Sequence, residues 1–157
     1  MIPSFPVSHS VPQPYAYIRR TTPITEISAA MGEGFAALDA AFRAAHAVPA
    51  GPPLAHYTGY DANSTSFELG FPVIADDAEA LQVAGLEIGE TFGGQVMRGV
   101  HHGAYDTVTG TYEAMMTDMA ARGLVAAPDM WECYISPPGT PTERIETEVI
   151  WGVREHS

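Results

Sequence analysis

The feature that most constrains the fold of this chain is an order of elements that occurs twice. In the first half, a strand, a helix, a strand and a strand are predicted at residues 14–20, 21–47, 54–60 and 65–73. In the second half, the same order is predicted at residues 93–103, 104–124, 130–136 and 143–153. A unit of this size is too small to bury its own helix, so we expect the two units to share one core.

This duplication predicts an α+β domain. It is expected to contain an antiparallel sheet, two helices on one face, and a ligand groove at the approximate two-fold axis between the half-repeats. The half-repeats span about 14–73 and 93–153 within a domain of residues 14–153. The acidic stretch 74–92 fits no regular pattern and is interpreted as a linker, and residues 1–13 are interpreted as a flexible tail rich in Pro and Ser.

Both predicted helices carry apolar residues at spacings of three and four, which is typical of a helix with one buried face. The stripe of the first helix contains Ile24, Ile27, Met31, Phe35, Leu38 and Phe42. The predicted inner face of the second helix contains Tyr105, Val108, Tyr112, Met115, Met116 and Met119. Core packing explains these methionines best, although Met also suits pockets that accept varied apolar ligands.

The charge of the chain argues against nucleic-acid binding. The net charge is −12, and all seven basic residues are arginines. Nucleic-acid binding requires clustered positive charge that displaces counterions from phosphates, and only Arg19 and Arg20 are adjacent. The N-terminus lacks the basic and apolar regions of a signal peptide, and no segment approaches the about 20 apolar residues of a membrane span. We therefore expect a cytoplasmic protein that binds neither nucleic acid nor membrane.

Neither a metal nor a cofactor is predicted. His101 and His102 are adjacent in a strand, so their side chains point to opposite faces and do not readily chelate one ion. Cys133 is the one cysteine of the chain, which excludes an intrachain disulfide and a zinc site built on several cysteines. Its position in a strand predicts a buried and therefore inert thiol.

Several stretches together resemble one known family. They are "GPPLAHYTGYD" and "FELGFPV" in the first half, and "VHHGAYDTVTGTYEAM", "ARGL", "WECYISPP" and "IETEVIWGV" in the second. Their order and spacing resemble the GyrI-like small-molecule-binding family, also called the bacterial transcription-activator effector-binding domain, over nearly the whole of residues 14–153. The family's Gly-x-Tyr, Glu-x-Tyr and Glu-rich strand features match Gly103 to Tyr105, Glu132 to Tyr134 and Glu146 to Val149.

The resemblance implies two function classes at one site. Many family members sense lipophilic, often cationic aromatic compounds for a transcription regulator, with a buried glutamate facing the cation. Some stand-alone members are similar to hydrolases that open the cyclopropane of DNA-alkylating natural products with the same glutamate and its aromatic neighbours. The stretch of 157 residues leaves no room for a DNA-binding domain, so we expect a stand-alone binder. A third, weaker alternative is binding of a protein partner.

Glu132 is the candidate that matches this glutamate. It lies between Trp131 and Tyr134 in a strand, where a buried carboxylate is costly without a partner. Strand alternation places Glu132 and Tyr134 on one face, and we expect this face to point away from the helices. The full set of predicted ligand-binding residues is Glu132, Tyr134, Tyr57, Trp131, Tyr105, Tyr112, Glu148 and Glu68.

Such a site is suited to binding or to catalysis. The aromatic rings supply stacking and cation–π attraction, and the acid supplies a charge that gains strength when water is excluded. If the protein is an enzyme, Glu132 is the general acid or base, and Tyr134 or Tyr57 donates to a developing oxyanion. From the residues alone, Glu132, Glu68 and Glu148 also fit a solvated sheet face, and the tyrosines and tryptophans also fit ordinary packing.

Overall fold

The computed structural model describes residues 4–137 and 139–155, apart from the side chains of Tyr60 and Asp106. The strands are β1 (Val7–Ser10), β2 (Pro14–Pro23), β3 (Leu54–Tyr60), β4 (Ser64–Pro72), β5 (Glu87–Glu90), β6 (Gly94–His102), β7 (Leu124–Ala126), β8 (Met130–Tyr134) and β9 (Glu146–Glu155). The helices are α1 (Ile27–Ala45), α2 (Ala78–Val83) and α3 (Val108–Ala121). The predicted α+β class and antiparallel strand pairing are confirmed.

The chain divides into two compact units, one of which contains residues 12–91. In this unit the strands lie in the order β3, β4, β2, β5. α1 packs on one face of these strands, and Gly34 allows a close approach. A Cβ atom at Gly34 would lie 2.9 Å from the Leu69 side chain and 3.2 Å from that of Ile18. Leu38 and Phe42 of the predicted stripe are buried on this side of α1.

Among the described residues, the second unit contains 4–11 and those between 92 and 155. Its strands lie in the order β1, β6, β9, β8, and β7 pairs with the end of β9. α3 covers one face, where a buried apolar cluster stabilises the unit by removing apolar surface from water. The cluster contains Met97, Met115, Met119, Val149 and Val153.

Three short segments differ from the predictions. The stretch 74–92 is not irregular, because it contains α2 and β5, and β5 pairs with β2. Residues 7–10, predicted as part of a flexible tail, form β1 and pair with β6. β7, which begins at Leu124 where the predicted second helix ends, is an additional strand. Segments of three to six residues contain too few positions for a hydrophobic period to show.

The predicted inner face of the second helix needs two corrections, the first of which is Tyr105, which precedes α3 and is 49% exposed. Met115 and Met119 are buried as expected, but Met116 is 46% exposed because it follows Met115 directly and points away from the strands. Among the described residues, no helix is long and apolar enough to cross a membrane. In the same part of the chain, no group of three or more His, Cys, Asp or Glu residues is arranged to hold a metal ion.

Candidate small-molecule site

Glu132 lies in the middle of β8 and points toward α3. Its cross-strand partner is Val149, and paired residues of antiparallel strands share a face of the sheet. Val149 belongs to the cluster that α3 covers. The prediction that Glu132 and Tyr134 face away from the helices is therefore wrong. The carboxylate is nonetheless buried, with only 4% of the residue exposed.

Two tyrosines hold the carboxylate of Glu132. Tyr134 donates a hydrogen bond from its hydroxyl to Oε1 over 2.9 Å, and Tyr112 donates from α3 to Oε2. Both oxygens thus accept a phenolic O–H. A buried carboxylate requires such donors, because they replace the water that solvates it in the unfolded chain.

Further aromatic rings extend this group. The ring of Tyr105 meets that of Tyr134 edge-on, with centroids 5.8 Å apart, and Trp151 meets Tyr112 in the same way at 6.1 Å. Tyr105 is 49% exposed, so the aromatic wall reaches the surface at this point. Burial raises the pKa of Tyr105, and the negative charge of Glu132 raises it further. We call Glu132, Tyr112, Tyr134, Tyr105 and Trp151 the acid–aromatic cluster.

His101 explains why α3 begins where it does. It is a buried residue of β6, and its Nδ1 lies 2.9 Å from Thr111 Oγ1. Its Nε2 lies 3.0 Å from the carbonyl oxygen of Ala104 and 2.9 Å from Thr107 Oγ1. These contacts fix the turn that contains Tyr105 and leads into α3. His101 thereby positions two tyrosines of the acid–aromatic cluster.

Trp131 and Glu148 lie on the opposite face of the strands. Trp131 packs edge-on against Phe92 at 5.5 Å. Glu148 pairs with Arg98 over 3.1 Å, and the Arg98 guanidinium lies 5.1 Å from the centre of the Phe92 ring. The structure therefore does not bring these two predicted residues into the acid–aromatic cluster.

Tyr57 and Glu68 belong to the unit of residues 12–91. Tyr57 pairs with Phe67, two positions from Leu69, which Gly34 of α1 approaches, so Tyr57 lies on the helix-covered face. This contradicts the expectation that Tyr57 shares a face away from the helices with the other predicted ligand-binding residues. Glu68 lies on the other face, as expected.

Two hydrogen-bonding neighbours surround Glu68. Its Oε1 accepts from the Tyr15 hydroxyl over 3.0 Å and lies 2.9 Å from His56 Nδ1. Burial alone would raise the pKa of Glu68. The hydrogen bonds from His56 and Tyr15 outweigh it, so the pKa lies below its ordinary value.

Sequence reasoning missed three residues on the face of the strands that carries Glu132. They are Trp151, His101 and Thr147, none of which belongs to the predicted ligand-binding set. The strand register provides the signal that finds the last two, because Thr147 pairs with Tyr134 on one side and with His101 on the other. All three therefore lie on the face that carries Glu132.

The chain belongs to the GyrI-like family. The sequence profile of the GyrI-like small molecule binding domain matches residues 8–154, which includes the acid–aromatic cluster. The resemblance stated from the sequence is thereby confirmed. No curated protein sequence matches the chain.

Solved structures show the same fold at low sequence identity. The C-terminal domain of EcmrR is similar with a TM-score of 0.74 and 12% identity, over 99% of each chain. SAV2435 bound to tetraphenylphosphonium is similar with a TM-score of 0.69 and 13% identity, over 96% of this chain and 94% of that one. A hydrolase from Listeria innocua is similar with a TM-score of 0.68 and 12% identity, over 96% and 92%.

Proposed function

We propose that the protein binds lipophilic, cationic aromatic small molecules, and that Glu132 is the group that faces the cation. The observation that carries this proposal is a carboxylate that is 4% exposed and accepts hydrogen bonds from two tyrosine hydroxyls within a group of aromatic rings. A negative charge in such surroundings attracts a cation more strongly than the same charge in water does.

The tyrosines suit the same ligand class. A positive charge near a ring face gains cation–π attraction of about 0.5–2 kcal/mol. Tyr105 is half exposed and stands at the outer end of the group, where a ligand first meets it. Aromatic faces impose less geometry than hydrogen bonds, so cations of different shapes are expected to bind, as in multidrug-binding proteins. The tetraphenylphosphonium bound to SAV2435 is a ligand of this class.

A second candidate function is hydrolysis of electrophilic, cyclopropane-type toxins at the same residues. The similar fold of the Listeria innocua hydrolase favours it, together with the contact of two phenols and one carboxylate. In this reaction Glu132 would accept a proton from the attacking water, and Tyr134 would donate to the oxyanion that develops on the leaving group. Water adds across the opened carbon–carbon bond, so no cofactor is required.

The test is a tryptophan-fluorescence titration with tetraphenylphosphonium and with a neutral analogue of similar size, tetraphenylmethane bearing solubilising groups. Trp151 contacts Tyr112 and therefore reports on the acid–aromatic cluster. Wild type is compared with Glu132→Gln, and with Glu146→Gln as a control, since the Glu146 side chain is 46% exposed. Each compound is recovered and examined by mass spectrometry, with a cyclopropane-containing electrophile added to the panel.

We expect the cation to bind wild type and Glu146→Gln alike, and to bind Glu132→Gln at least ten-fold more weakly. Equal affinity of wild type and Glu132→Gln would disprove the role of Glu132. Recovery of unchanged compounds supports the binder, whereas repeated turnover that Glu132→Gln abolishes supports the hydrolase.

A further inference from the structure

Thr147 contains a buried hydroxyl without a partner. The residue is 0% exposed, and its Oγ1 forms no hydrogen bond among the described residues. Leaving a hydroxyl buried and unpaired costs free energy, and a valine of nearly the same shape would avoid that cost. Packing and strand propensity therefore do not explain why this position carries a threonine rather than a valine.

The neighbours of Thr147 do not satisfy this hydroxyl. On β6 its cross-strand partner is His101, whose two ring nitrogens already contact Thr111, Thr107 and the Ala104 carbonyl. On β8 its cross-strand partner is Tyr134, whose hydroxyl donates to Glu132.

The hydroxyl lies on the same face as the carboxylate and at a defined separation from it. Glu132 pairs with Val149, and Thr147 precedes Val149 by two positions, so Glu132 and Thr147 are diagonal neighbours. Diagonal neighbours on one face lie on the order of 7 Å apart. A ligand oxygen on the order of 7 Å from a cation held at Glu132, on the side of Tyr134, would therefore lie beside Thr147.

We propose that Thr147 is a specificity-determining residue that donates a hydrogen bond to a neutral oxygen of the ligand. The preferred ligands are then cationic aromatics with an ether, hydroxyl or carbonyl oxygen about one ring length from the positive charge. The inference rests on the proposed function, since Glu132 holds the cation. The unpaired hydroxyl costs free energy in the free protein. A ligand with a matching oxygen removes this cost when it binds, whereas a ligand that lacks the oxygen does not.

Three phosphonium ions test this inference. Tetraphenylphosphonium has no oxygen, (4-methoxyphenyl)triphenylphosphonium has one at the far side of a ring, and (4-ethylphenyl)triphenylphosphonium matches the second in size but lacks the oxygen. Affinities are measured by fluorescence titration for wild type, Thr147→Val and Thr147→Ser, and the urea midpoint of each variant is measured without ligand. Thr147→Ser is the matched control because it keeps the hydroxyl.

In wild type, the methoxy compound is expected to bind about 3- to 10-fold more tightly than the ethyl compound, which is the range of one neutral hydrogen bond. Thr147→Val is expected to abolish this ratio, to leave the affinity for tetraphenylphosphonium unchanged, and to raise the urea midpoint. Thr147→Ser is expected to keep the ratio.

The other outcomes separate the two proposals. If all three ions bind wild type with Glu132 dependence but the ratio is the same in wild type and Thr147→Val, this inference is wrong and the proposed function stands. If Thr147→Val lowers the urea midpoint, the hydroxyl has a partner in the free folded protein, and this inference is wrong. If none of the ions binds wild type, the proposed function fails and the inference fails with it.

Discussion

Tyr112 on α3 and Glu132 on β8 are twenty residues apart in sequence, and a hydrogen bond from the phenol to the carboxylate joins them. The bond ties the helix to the strand that it covers. With Tyr134 on the other oxygen, it keeps the buried charge solvated by the protein while no ligand is bound. If the proposed function holds, a ligand cation would be a stronger partner for the same carboxylate, because opposite full charges attract more than a charge and a dipole.

We predict that Tyr112→Phe lowers the free energy of unfolding by about 1.5–3 kcal/mol, the range of a hydrogen bond to a charged group. The ring and its contact with Trp151 remain, so packing is unchanged. Urea denaturation measures the change. With saturating tetraphenylphosphonium, the difference in the free energy of unfolding between wild type and Tyr112→Phe should become much smaller, because the cation then interacts with the carboxylate oxygen that the phenol no longer contacts.

Tyr105→Phe is the control for this prediction, since Tyr105 is half exposed and its ring contact with Tyr134 survives the substitution. Its urea midpoint should stay within error of wild type. If Tyr112→Phe is also indistinguishable from wild type, the hydrogen bond contributes nothing to the stability of the fold.

The sequence predicts that Glu132 is a site residue but places its side chain on the wrong face of the sheet. Alternation identifies a buried face when the other face is wet, and in β9 the apolar Val149 and Trp151 lie toward α3, while Glu146 and Glu148 lie on the other face. In β8, however, Trp131, Glu132 and Cys133 are all buried, so the strand has no polar face to indicate its orientation. The burial of hydrophobic Trp131 and Cys133 therefore favours the wrong orientation for Glu132, because residues next to each other in a strand point to opposite faces. Only the cross-strand register resolves the choice.

We predict that Glu68→Gln destabilises the protein in a pH-dependent manner. The folded-state pKa of Glu68 lies below its ordinary value of 4.5, because the hydrogen bonds from His56 and Tyr15 outweigh the effect of burial. A depressed pKa contributes stability that is present above the ordinary value and is lost as the pH falls through the folded-state value. The difference in urea midpoint between wild type and Glu68→Gln should therefore be largest near pH 7 and should shrink below about pH 4.5.

Glu87→Gln provides the comparison for Glu68. Its ion pair with Arg19 is exposed, with 64% and 50% of the two side chains accessible, and exposed pairs contribute little. A difference between wild type and Glu68→Gln that is constant between pH 7 and pH 3 would show that the carboxylate charge of Glu68 is not what stabilises the fold.

We predict that Asp118→Asn loosens the N-terminal strand. The carboxylate of Asp118 accepts the backbone N–H of Phe5 over 2.9 Å and contacts Arg122, which itself donates to the Phe5 carbonyl over 2.7 Å. The Phe5 hydrogen bond and the Arg122 charge hold the pKa of Asp118 below its ordinary value. Without the carboxylate, the backbone amides of β1 should exchange hydrogen faster than they do in wild type, and the increase should be larger for β1 than for β6.

The matched variant for Asp118 is Asp39→Asn, which removes an exposed ion pair with Arg43 within α1. Exchange at β1 should be unchanged in this variant. Protection of residues 7–10 that persists in Asp118→Asn would show that the pairing of β1 with β6 alone holds the segment in place.

We predict that Cys133 reacts slowly in the folded protein. Burial raises the pKa of the thiol from 9.0 to about 11, and the charge of Glu148 adds to this effect, while Arg98 opposes it. Below pH 9, a thiol pKa that is two units higher lowers the fraction of reactive thiolate about 100-fold, and burial also limits the access of the reagent. Iodoacetamide labelling at pH 8 should therefore be at least about 100-fold slower in buffer than in urea. Glu148→Gln should speed labelling of the folded protein because it removes a repulsive charge, whereas Glu146→Gln should not. Equal rates for these two variants would mean that access, and not the charge on Glu148, limits the reaction.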